Sequence, residues 1–139
     1  MGATIPEGFA DLVGPPVVPT LATLNRDGSV QATPVWATRD GDDILVGSAH
    51  GRAKDRNMRH RNEVALCFVD PANPYRHVSV VGEVAEVLDE DDPETAATVT
   101  AHIDEAAVAY VGQSPYPFRS PGEVRSLFRI RPLRISTYP

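Results

Sequence analysis

Five of the thirteen Lys and Arg residues of this 139-residue chain fall between Arg52 and Arg61, although the whole chain carries a formal charge of -6. They belong to Ser48-Ala49-His50-Gly51-Arg52-Ala53-Lys54-Asp55-Arg56-Asn57-Met58-Arg59-His60-Arg61, which follows the apolar run Ile44-Leu45-Val46 and reads as the start of a short helix. A helix N-terminus carries unpaired N–H groups and the positive end of the macrodipole, so acidic residues normally collect there. Here Arg52 and Lys54 stand in or beside the first turn, and only Asp55 offsets them. Backbone N–H groups, the dipole and two cationic side chains converging on one point are the chemistry of an anion site, with phosphate the favoured occupant. A solvated basic helix face is the alternative reading of the same residues.

Other catalytic chemistry is hard to find. No Ser-His-Asp or Cys-His set and no motif-spaced pair of carboxylates stands out. His50, His60, His77 and His102 lack the companions and i,i+4 pairing of metal sites, so no metal is expected. His102 lies among polar neighbours and is expected at the surface. Cys67, the single cysteine, sits inside Val64-Ala65-Leu66-Cys67-Phe68-Val69 and reads as a small buried core residue. Glycine-rich nucleotide fingerprints are absent. A protein with an anion site and no acid–base set needs a cofactor for difficult chemistry.

The elements around the basic stretch are mostly β. Residues 5–13 allow a short helix, with Pro6 near its start and Gly14 after it. Pro15, Pro16 and Pro19 follow as an extended linker. Leu21-Ala22-Thr23-Leu24 ends at Asn25-Arg26-Asp27-Gly28, a second run covers residues 30–38, and a third, residues 43–47, follows Asp40-Gly41. Asp-Gly turns between β-type runs predict hairpins, so these three strands are expected to form an antiparallel meander. Pro34 cannot donate to a ladder, so the second strand should be an edge or bulged there, leaving backbone groups free for a ligand. After the basic helix come a buried strand over residues 64–69 and a long strand over residues 75–88, in which Gly82 marks a bulge or barrel corner. The acidic run from Asp89 to Asp92, with Pro93 and Glu94, reads as a turn and helix cap rather than a metal site. Ala96, Val99, Ile103, Ala107 and Tyr110 then keep a helical stripe that Gly112 stops. A Pro-rich loop over residues 113–123 leads to a last strand over residues 124–130, continuing brokenly past Pro132 to Ile135.

These elements predict one domain over residues 1–139, its core at about 18–135. The fold class is mainly β with inserted helices: a six-stranded antiparallel barrel with three helices. The acidic balance disfavours nucleic acid and anionic membrane as partners. No apolar run approaches a membrane span and no signal peptide is evident, so a soluble, cytoplasmic protein is expected.

Taken together, Leu21-Ala22-Thr23-Leu24, Gln31-Ala32-Thr33-Pro34-Val35-Trp36 and Ser48-Ala49 with Gly51-Arg52-Ala53-Lys54-Asp55-Arg56-Asn57 resemble the split-barrel flavin and deazaflavin oxidoreductases, relatives of pyridoxamine 5'-phosphate oxidase. Asp70-Pro71, Asn73-Pro74-Tyr75, Gly82, Tyr110-Val111-Gly112 and Arg131-Pro132 match in order and spacing. The likeness is to the branch using the deazaflavin coenzyme F420, with the FMN-binding oxidases second. It implies a six-stranded split β-barrel (the FMN-binding split barrel) that is homodimeric, with the cofactor between protomers and a small-molecule substrate over the exposed ring. Arg52 and Lys54 match phosphate-binding positions, with Ser48, Ala49, Asn57 and Arg61 near them. Gln31, Thr33, Pro34, Val35 and Trp36 match the strand facing the ring, and Trp36 also has a reading as a core residue. Tyr75 and His77, from the second protomer, are the candidates for proton donation. A non-catalytic cofactor carrier, or an interaction domain using its basic helix, are readings of another class.

Overall fold

The computed structural model describes residues 2–139, which form a single seven-stranded antiparallel sheet with two α-helices and a 3-10 helix. The strands are β1 (Thr20–Leu24), β2 (Val30–Pro34), β3 (Ala37–Asp40), β4 (Asp43–Ala49), β5 (Glu63–Asp70), β6 (Asn73–Asp89) and β7 (Arg125–Tyr138). Helix α1 (Ala53–His60) follows β4, helix α2 (Ala96–Val111) precedes β7, and the 3-10 helix Glu7–Leu12 precedes β1. The sheet order is β2-β1-β5-β6-β7-β4-β3.

That order corrects the expected meander and the strand number. The run over residues 30–38 is two strands, not one, and they lie at opposite edges of the sheet: β2 pairs with β1, and β3 pairs with β4. The break has a local cause. Pro34 has no N–H to give, and the next N–H, on Val35, bonds Pro19 O at 3.0 Å outside either ladder. Only Val35 and Trp36 separate the two edge strands, so the sheet must curl until its edges meet there. This curling makes it a split barrel, and places its seam at the proline.

The barrel core follows from strand alternation. Leu21, Ile44, Val46, Leu66, Phe68, Val78, Val80, Phe128 and Ile130 are fully buried and form one cluster with Leu12 and Met58. Burial of this set supplies the main favourable free energy of folding. Cys67 alternates to the other face between buried Leu66 and Phe68, and is a half-buried free thiol rather than a core residue. The Asp-Gly turns adopt the left-handed conformation that glycine supplies, with φ of 88° at Gly28 and 63° at Gly41. Gly82 sits where the β6–β7 register shifts, opposite Pro132.

Helix α2 buries Val99, Ile103, Ala106 and Ala107 and ends at Gly112 in the left-handed conformation, as its stripe requires. Its last turn carries Tyr110, whose hydroxyl accepts from Ala37 N at 3.1 Å and lies 2.7 Å from Val17 O. One phenol thus ties α2 to the chain on both sides of the seam.

Candidate functional site

A cleft of about 330 Å³ opens at the seam, lined by Val18, Pro34, Val35, Trp36, Gly47, Arg52, Lys54, His102, Ile103, Ala106, Tyr116 and Arg125. Each element contributes for a local reason. The strand break turns Pro34, Val35 and Trp36 out of regular pairing. Alternation along β4 presents Gly47 to the cleft and turns Ser48 inward. Arg52 is the N-cap residue of α1, and no side chain caps that helix; Arg52 and Lys54 both line the cleft.

The cleft has two characters. At one end are cations: Lys54 Nζ lies 3.3 Å from Thr33 Oγ1, and burial, then Arg52 and Arg125, holds its ammonium pKa below the usual lysine range. A perturbed titratable group in a cleft marks a candidate functional position. The other end is aromatic. Trp36 stacks on Tyr110 with centroids 5.3 Å apart and planes 3° from parallel, and Tyr116 meets it edge-on at 5.9 Å. Trp36 is therefore both a packing residue and a wall of the cleft.

His102 is not a surface residue. Its Nε2 lies 2.9 Å from Thr38 Oγ1, and burial, reinforced by Arg125, pushes the imidazole down from 6.5 to about 4. It is neutral at pH 7 and serves the cleft as a hydrogen-bonding group. The unfolded chain takes up the proton that the folded imidazole refuses. Its contribution to stability is therefore complete above pH 6.5 and lost as pH falls toward 4. Chemical denaturation of wild type and His102→Gln between pH 7 and 4 checks this. Wild type should lose more stability across that window, and equal losses would refute the assignment.

The other expected positions divide clearly. Arg52, Lys54, Pro34, Val35 and Trp36 line the cleft, and Thr33 reaches it through Lys54. Ser48, Ala49 and Asn57 do not; all three are buried. Asn57 Nδ2 instead donates to Thr23 Oγ1 at 3.0 Å and to Asn25 Oδ1 at 2.8 Å, tying α1 to β1. Gln31 pairs with Thr23, and Arg61 lies beside Glu63 at 3.5 Å. Tyr75 is 75% exposed on β6, and His77 stacks on Tyr138; both lie off this chain's cleft. Arg59 bridges Asp55 and Asp89 and reaches Ser126, so it anchors the helix. Among the described residues His50, Asp89 and Asp91 bring ligand-type atoms within 4.8 Å of one another. Arg59 already neutralises Asp89, whose carboxyl it holds down to about 2, so that group is an ion-pair network.

His102, Tyr116 and Arg125 escaped the sequence reading. Their signals were faint: a histidine flanking the apolar stripe of a helix, an aromatic in a Pro-rich loop, and an arginine opening an apolar strand.

Residues 5–138 match the family described as pyridoxamine 5'-phosphate oxidase. The chain belongs to that family. Among solved structures, this pyridoxamine 5'-phosphate oxidase-family chain is similar to an F420 reductase at 30% identity and TM-score 0.79, covering 95% of this chain and 98% of the other. It is also similar to a conserved hypothetical protein from Mycobacterium tuberculosis (20% identity, TM-score 0.71, 99% and 86% covered). HutZ, a heme storage protein from Vibrio cholerae, shares the fold at 14% identity and TM-score 0.69, with 98% and 96% covered. No curated protein matches the sequence. The family accounts for the split barrel.

Proposed function

We propose that the protein is an oxidoreductase that uses the deazaflavin coenzyme F420 to reduce or oxidise a small organic substrate. The observation that carries this reading is the cleft itself, which joins a cationic end to an aromatic wall at the strand break. An F420 reductase at 30% identity over 95% of the chain supports the choice of cofactor. A flat ring joined to a phosphate needs both ends of such a cleft. The residues fit that group: Lys54 is half-buried beside two positive charges with no carboxylate of its own, a state that an arriving phosphate relieves.

Coenzyme F420 supplies two-electron hydride chemistry when bound. The chain's own residues bind and orient. Lys54 and Arg52 would hold the phosphate by charge-assisted hydrogen bonds. Pro34, Val35 and Trp36 would flank the ring, and Ile103 and Ala106 of α2 add apolar surface to the same cleft. Neutral His102 offers a hydrogen bond beside that surface. Orientation and exclusion of water are the protein's contribution to such chemistry. A homodimer that brings exposed Tyr75 and half-buried His77 of a second copy to the cleft completes the reading.

FMN is the second reading, favoured by the family match itself. Fluorescence titration of the purified protein with coenzyme F420 and with FMN separates the two. Preferential, micromolar or tighter binding of coenzyme F420 is expected. Preference for FMN moves the assignment to a flavin oxidoreductase, and binding of neither overturns both.

A further inference from the structure

Arg125 opens strand β7 and is only 4% exposed, yet its Nε has no hydrogen-bond partner. Several features hold the guanidinium in place at the cleft wall. Its backbone N donates to Glu90 Oε1 at 3.0 Å, and its Cζ lies 5.0 Å over the Tyr116 ring. Strand β4 offers Gly47 alongside, where a Cβ would come within 3.3 Å of Arg125 Nη2. Room for this side chain therefore depends on the absence of another.

Arg125 donates from Nη1 to Glu123 Oε2 at 3.0 Å. A simple buried ion pair would end the account there, but Glu123 is shared. Its Oε1 also lies 3.7 Å from Arg52 Nη2, while Lys54 stands in the field of both arginines. Three cations line the cleft, and Glu123 is the one carboxylate paired with them among the described residues. Positive charge in excess of its counter-ion, together with an orphaned buried donor, is costly unless an acceptor arrives.

We propose that Arg125 is a third ligand for a phosphate group bound in this cleft, and that Glu123 is a resident counter-ion competing with that phosphate. The source of the phosphate rests on the cofactor reading above; the role of Arg125 does not. A guanidinium fixed by ring stacking suits a tetrahedral oxyanion better than a mobile ammonium does.

Trp36 is the sole tryptophan and lines the cleft, so its emission reports occupancy. Wild type, Arg125→Gln, Arg125→Lys and Glu123→Gln are titrated with inorganic pyrophosphate, with sodium acetate and with coenzyme F420, after thermal melts establish that each is folded. Arg125→Gln should bind pyrophosphate about tenfold more weakly, Arg125→Lys should fall between, and Glu123→Gln should bind more tightly than wild type. Wild-type affinity in both Arg125→Gln and Glu123→Gln overturns the proposal, as does a response to acetate equal to that for pyrophosphate. If Arg125→Gln does not fold, Glu123→Gln decides: tighter binding supports the competition, and unchanged or weaker binding overturns it. Arg125-dependent pyrophosphate binding without preference for coenzyme F420 leaves this inference standing and removes the cofactor reading. Tight coenzyme F420 binding that ignores Arg125 does the reverse.

Discussion

Lys54→Ala should weaken binding of coenzyme F420 by about 1–3 kcal/mol, roughly a 5- to 150-fold loss of affinity. Lys54 reaches the strand that ends at Pro34, its Nζ 3.3 Å from Thr33 Oγ1, and is already burdened by Arg52 and Arg125. Its proton is held less tightly than normal, first because the ammonium is half-buried and then because Arg52 and Arg125 stand near it. An occupied site gives it an answering anion, so the ammonium gains a partner only in the complex. Fold stability should barely change, because removing Lys54 relieves repulsion in the free protein. Added salt should weaken binding to wild type and have less effect on the variant, since these partly exposed charges are screened. Calorimetric titration at two ionic strengths tests both statements. Unchanged affinity would remove Lys54 from the site, and salt-independent binding would shift the burden to the aromatic wall.

The second large effect is structural. Gly82→Ala should destabilise the fold by about 1–3 kcal/mol, the range for overpacking a well-filled site. A Cβ at position 82 would lie 2.8 Å from Arg131 O and 3.0 Å from Ile130 Cγ2. The first contact is backbone and cannot rotate away. Strands β6 and β7 share the longest ladder of the sheet, and its register shifts between Val81 and Gly82 with Pro132 opposite. The bulge is where the ladder bends to close the barrel, and separating the strands there disturbs the core behind Ile130. Gly8→Ala is the matched control, because a Cβ at that position meets nothing within 4 Å. Urea unfolding should show a lower midpoint with an unchanged slope for Gly82→Ala and little change for Gly8→Ala. Equal midpoints would show that the sheet accommodates the extra carbon.

Much of the architecture is legible because short-range rules govern it. Asp27-Gly28 and Asp40-Gly41 demand left-handed turns, Gly82 marks a bulge, and Gly112 stops a helix. The spacing of Val99, Ile103 and Ala107 names the face that α2 buries. Pro34 signals a strand that cannot stay in a central ladder. Where two halves of one run part company is a different question. Residues 30–38 read as a single strand because no local rule assigns a partner to each half. The partners, β1 and β4, are chosen by closure of the whole barrel.

The site divides along the same line. Arg52 and Lys54 stand out from sequence because they break a local rule at a helix start. Ser48, Ala49 and Asn57 share that stretch, yet one step of strand alternation turns Ser48 inward, and Asn57 is spent on joining α1 to β1. Arg125, His102 and Tyr116 lie about fifty to seventy residues from Lys54 in the chain and carry no local anomaly strong enough to flag them. They reach the cleft because α2 and its Pro-rich loop fold back over the barrel seam, held there by Tyr110 between Val17 and Ala37. The sequence by itself determined the turns, the helix faces, the bulge and one cationic pair, all products of neighbours along the chain. Tertiary structure alone decided which residues meet those cations, because that depends on long-range packing whose free energy is spread across the core.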